Sequence, residues 1–162
     1  MSSNHPQLLH SLPLLDRLID KEPGGPPELP LSESQYLEQL RLGVSRDLQD
    51  LLNTRIRWSP TTGDVSSTDD SLIDYGLPDF TSASLNLAYD TGALKAAMLR
   101  AISVFEPRLT AVKIHTITDA WHLDRVFRFR IEAVLLVERQ RVTVQFSSLL
   151  LPGTGQFSVG DA

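Results

Sequence analysis

Two opposite charges separated by one rigid residue, Glu106-Pro107-Arg108, are the most chemically pointed feature of the sequence. Proline fixes its own φ and pushes the residue before it away from helical torsions, so the two charges are presented in a preset relation. Arginine can give a carboxylate a bidentate, charge-assisted contact, which suits specific recognition of a partner. The same residues could do no more than end a helix with a surface ion pair worth ~0–1 kcal/mol. A catalytic reading would make Glu106 the acid of a glycosidase. That chemistry needs an apolar pocket and a second carboxylate ~5–9.5 Å away across the sugar. The next carboxylates, Asp119 and Asp124, fall in a solvated hairpin connection, and Arg108 is a poor neighbour for an acid that must hold a proton. No catalytic residue is assigned.

Other chemistry-bearing residues are scattered. His5, His10, His115 and His122 lack the spacing and acidic partners of a metal site, and His115 is expected to be an exposed strand residue. There is no Gly-x-Ser-x-Gly elbow, and Gly24-Gly25 lies among prolines instead of opening a helix, so neither a nucleophile nor a phosphate cradle is expected. No metal and no cofactor are expected. The absence of cysteine removes disulfides and thiolate ligands, which suits the cytoplasm. A net charge of −5 gives no global field for binding nucleic acid or anionic membranes, although Arg125, Arg128, Arg130, Arg139 and Arg141 make one hairpin locally basic. That basic run reads either as a solvated outer face or as a docking surface for acidic protein segments. No leader pattern and no run approaching ~18 apolar residues is present, so neither export nor membrane insertion is expected.

The elements that must position these residues follow from periodicity. Leu12, Leu14, Leu15, Leu18 and Ile19 fit one side of a short amphipathic helix. Residues 21–31 form a Pro/Gly-rich linker. Ser32 and Gln35 have capping-box spacing, and Leu37, Leu40, Val44, Leu48, Leu51 and Leu52 stripe a helix over residues 34–53, with Arg41, Arg46, Asp47 and Asp50 off the stripe. Ser59 to Asp70 reads as a surface loop. An irregular segment follows, pinned by Leu72, Tyr75, Leu77 and Phe80. Leu94, Ala97, Met98, Ala101, Ile102 and Phe105 mark a second helix, with Asp90 or Thr91 as cap, ended by Pro107. The period then changes to two: Val112 and Ile114; Phe127, Phe129, Ile131, Ala133, Leu135 and Val137; Val142, Val144 and Phe146. The expected fold is α+β, with helices on one face of a small, mainly antiparallel three-stranded sheet. The expected organisation is a tail with a short helix over 1–20, the linker over 21–31, one domain over 32–151 and a C-terminal tail over 152–162.

Glu106-Pro107-Arg108-Leu109 at a helix-to-strand junction does not stand alone. With Leu14-Leu15-Asp16-Arg17-Leu18, Arg46-Asp47-Leu48, Leu51-Leu52-Asn53-Thr54-Arg55 and Tyr75-Gly76-Leu77-Pro78-Asp79-Phe80, in that order from about residue 11 to 148, it resembles the TssE family of type VI secretion baseplate subunits and the related phage-tail baseplate wedge proteins. The resemblance implies a non-enzymatic cytoplasmic part, assembled on the cytoplasmic side of the inner-membrane secretion complex. Such a part joins the wedge to the sheath and helps nucleate sheath polymerisation. It implies TssF and TssG as wedge partners, TssK nearby, and TssB and TssC as the sheath. Glu106, Pro107, Arg108 and Leu109 would then lie at a sheath or wedge interface, and Leu14, Leu15, Leu18 and Ile19 would dock on a partner. A phage-lysozyme-like cell-wall hydrolase and a stand-alone adaptor using a sheet edge are the rival readings.

Overall fold

A computed structural model of the chain describes residues 13–18, 31–56, 72–79, 90–117, 126–137, 140–151 and 154–161. Most of the linker, the Ser59–Asp70 loop, Ile19, Phe80, Asp119 and Asp124 lie outside the described residues. The chain divides into two compact units, Met1–Val44 and Ser45–Ala162.

In the first unit, helix α1 spans Leu14–Leu18, and helix α2 begins at Glu33 and runs to Asn53. The capping box forms as the spacing predicts: the Gln35 amide donates to Ser32 Oγ at 3.4 Å, and the Ser32 amide donates back to Gln35 Oε1 at 3.0 Å. Leu14, Leu15 and Leu18 stay 70%, 58% and 71% exposed. Asp16 lies close to Gly43, where an added Cβ would come within 3.0 Å of its Oδ2.

The second unit holds the rest of α2, the turn of 3-10 helix Leu72–Asp74, helix α3 (Asp90–Phe105) and four strands: β1 (Leu109–Ile117), β2 (Phe127–Val137), β3 (Gln140–Leu151) and β4 (Gln156–Asp161). They form one antiparallel sheet in the order β1-β2-β3-β4. The sheet therefore has four strands where three are expected, the additional one lying in the C-terminal segment. β4 is reached through a tight turn in which the Gly155 amide donates to the Leu151 carbonyl at 2.8 Å, with Gly155 at φ 64°.

Alternation decides which face is buried. Phe129, Ile131, Ala133, Leu135 and Val137 of β2 and Val144, Phe146, Ser148 and Leu150 of β3 are buried, and the residues between them are half-buried or exposed. Leu48, Leu51 and Leu52 of α2 and Leu94, Met98, Ala101 and Ile102 of α3 are the buried helical residues of this unit, so both helices supply the surface opposite the sheet. Each large apolar side chain removed from water there contributes roughly 1.5–3 kcal/mol. The expected pin Leu72 is instead 85% exposed, while Leu77 is fully buried. In β1 the register slips between Thr110 and Lys113, where Ala111 takes a φ of 51°. Two residues there face one on β2, a β-bulge.

Val144 is buried and Thr143 exposed. Val144→Asp is expected to abolish cooperative unfolding by burying an unpaired charge, and Thr143→Asp to shift the midpoint little. Circular-dichroism melts of the two variants check this. Equal tolerance would mean a register shifted by one residue.

Candidate functional site

The Pro107 corner is a β-turn. α3 ends at Phe105, the Glu106 amide still donates to the Ile102 carbonyl at 2.9 Å, and the Leu109 amide donates to the Glu106 carbonyl at 3.0 Å. Proline occupies the second position of that turn, where its fixed φ fits.

The turn returns Arg108 onto Glu106. Nε donates to Glu106 Oε1 at 2.6 Å, and Nη2 donates to Oε2 at 2.7 Å, a bidentate pair. Nη2 also donates to Asp47 Oδ2 at 2.6 Å, reaching α2 across sixty-one residues of sequence. Arg46 Nη2 approaches the other Asp47 oxygen at 3.4 Å. Glu106 is only 4% exposed, whereas the Arg108 and Asp47 side chains are 27% and 34% exposed. The hydrogen bond to Glu106, followed by that to Asp47, raises the Arg108 guanidinium above its ordinary range against the opposing effect of desolvation. It is held as a permanent cation.

A pocket of about 290 Å³ opens beside this network, lined by Asp47, Leu51, Tyr75, Phe105, Glu106, Pro107 and Arg108. Tyr75 and Phe105 meet edge to face with ring centroids 5.2 Å apart. Burial, and after it the charges of Asp50, Asp47 and Glu106, push the Tyr75 hydroxyl up from its usual range. Tyr75 is carried there by a backbone contact: the Leu77 amide donates to the Thr54 carbonyl at 2.9 Å, and the Ile56 amide to the Leu77 carbonyl at 3.0 Å. Gly76 permits this approach. Its φ is 115°, and a Cβ would run into the Thr54 carbonyl.

Glu106, Arg108 and Pro107 are thus brought together with Asp47 and Tyr75. Leu109 turns inward and is 4% exposed, at the head of β1 opposite Leu135. Both Glu106 oxygens are engaged by Arg108, so the carboxylate is built into the fold. Among the described residues no group of three His, Asp or Glu side chains could hold a metal ion. His115 is exposed and lies 3.6 Å from Glu132. No helix among the described residues is long and apolar enough to cross a membrane.

Another set of contacts joins α2 to β4. Asn53 Nδ2 donates to the Phe157 carbonyl at 2.9 Å, and its Oδ1 accepts from the Phe157 amide at 2.8 Å. The Val159 amide donates to Gln49 Oε1 at 3.2 Å, and Ser45 Oγ donates to the Val159 carbonyl at 3.4 Å. Arg55 donates to the Leu52 and Gly155 carbonyls. Side chains of one helix thus occupy the backbone groups that β4 turns away from β3. Spacing along the chain could not reveal the partners of Ser45, Gln49 and Asn53, because they lie over a hundred residues away.

Fold and site together define a small α+β domain, one sheet edge closed by a helix and a charged turn at the head of the other edge strand. Residues 38–140 match the family model of the baseplate wedge protein gp25, and the chain belongs to that family. A chain in a solved structure described as the baseplate complex from the type VI secretion system aligns at 22% identity and a TM-score of 0.48, covering 69% of this chain and 94% of that one. No curated protein sequence matches the chain.

Two substitutions separate the parts of this site. Arg108→Ala leaves the buried Glu106 carboxylate without its partner and is expected to cost about 2–3 kcal/mol, whereas Asp47→Asn should cost about 1 kcal/mol or less. Urea unfolding of both variants measures the difference, and equal small losses would return the network to a surface ion pair. Gly76→Ala is expected to cost at least about 1–3 kcal/mol through its φ alone, seen as a lower urea midpoint at unchanged slope.

Proposed function

We propose that the chain is a structural baseplate component of a contractile type VI secretion system, joining the wedge to the sheath and helping to nucleate sheath polymerisation. Family membership and the ordered sequence resemblance to TssE proteins support this reading. The observation that carries it is the asymmetry of the sheet. β4 is closed on its outer side by Ser45, Gln49 and Asn53, while no described side chain caps the backbone of the other edge strand, β1. An uncapped edge can accept an extended strand, gaining main-chain hydrogen bonds for affinity and alternating side chains for register. In this proposal a sheath strand from TssB or TssC adds to β1, and the Glu106-Pro107-Arg108 corner at its head meets the partner through the exposed Pro107 and the accessible edge of Arg108.

The exposed Leu14, Leu15 and Leu18 are proposed to dock on the wedge proteins TssF and TssG, with TssK nearby. Assembly takes place on the cytoplasmic side of the inner-membrane complex.

The chain has no cysteine, so single cysteines report edge use directly. Thr116→Cys on β1 is expected to form disulfides with cysteines scanned along the sheath subunit's arm, and Ser158→Cys on β4 is not. Cross-links from position 158 with none from 116 would overturn the assignment of the edge, and none from either would overturn strand addition.

A further inference from the structure

The outer face of the sheet carries a charge pattern that the sheath-joining role does not use. Register and alternation place Lys113 and His115 of β1, and Arg128, Arg130 and Glu132 of β2, on this side, with Ser147 and Leu149 of β3 beside them. Lys113 faces Glu132, His115 faces Arg130, and Ile117 faces Arg128. The carboxylate of this group, Glu132, lies 3.6 Å from His115 Nε2. No described carboxylate forms an ion pair with Lys113, Arg128 or Arg130. Lys113, His115 and Arg130 are exposed and Arg128 is half-buried.

Lys113, Arg128 and Arg130 share this face with Glu132, so the group carries a net positive charge that an anionic partner would balance. Arg128 and Arg130 lie two residues apart on one strand, so their side chains rise roughly 6.6–6.8 Å apart, which is also the spacing of alternate side chains in an extended chain. The chain as a whole carries −5, so a long polyanion or an anionic membrane would gain the patch and meet repulsion elsewhere, whereas a short acidic segment meets only the patch.

We infer that this face, centred on the His115–Arg130 pair with Lys113 and Arg128, is a docking surface for an extended acidic peptide segment of a partner protein. Its cations lie on the face of the sheet and not along the β1 backbone, so the inference is independent of the sheath reading.

Fluorescence anisotropy with a labelled Glu-Thr repeat peptide tests this at low ionic strength. The Glu-Thr peptide is expected to bind and its Gln-Thr counterpart not to. An Arg128→Gln/Arg130→Gln double variant should weaken binding at least ~tenfold, and so should high salt. Arg141→Gln, roughly 20 Å along the sheet at the Leu136 end, should leave binding unchanged. Equal binding of the two peptides to the native chain would overturn the inference whatever the variants do. So would equal binding by the double variant, or tighter binding of a thymidine oligonucleotide or of phosphatidylserine vesicles than of the acidic peptide. Cross-linking through Thr116→Cys in the double variant reads the sheath-joining reading separately.

Discussion

The structure hinges on a single guanidinium. Arg108 joins the end of α3, through Glu106, to the middle of α2, through Asp47, and it does so one residue before β1 begins. A carboxylate as buried as Glu106 is costly unless its oxygens are met by well-placed donors. The bidentate geometry supplies them, and that geometry holds only when the Pro107 turn brings Arg108 back. Direction of the first strand, orientation of α3 and placement of α2 are therefore set together.

Much of this was legible from spacing. Both long helices, the three longer strands, the inward set on β2 and β3 and the Ser32 cap follow from periods of 3.6 and two. The charged corner was recognisable because a proline between opposite charges is unusual in its rigidity. What it does in the fold was not recognisable: an Asp on the polar side of α2 reads as solvated, and although Arg46-Asp47-Leu48 belongs to the family resemblance, spacing does not point Asp47 rather than Asp50 at Arg108. Gln156 to Asp161 was obscured because two of its residues are glycine and serine and its apolar alternation is only Phe157 and Val159. Its strand character comes from β3 on one side and from α2 amides on the other, both supplied by tertiary context.

The family resemblance and the physical reading also explain different things. Resemblance draws attention to Leu51-Leu52-Asn53-Thr54-Arg55 and Tyr75-Gly76-Leu77 as strings. The structure gives each a reason: Asn53 and Arg55 bind the C-terminal hairpin, and Gly76 lets the chain cross the Thr54 carbonyl so that Tyr75 reaches Phe105.

The helix-capped strand has one more consequence. Asn53 imitates a neighbouring strand, giving and accepting one hydrogen bond at Phe157 as a β-partner would. A sheet open on both sides would be a link, able to propagate in two directions and to build fibres with copies of itself. With the β4 side answered by its own helix, strand addition at that edge is closed off.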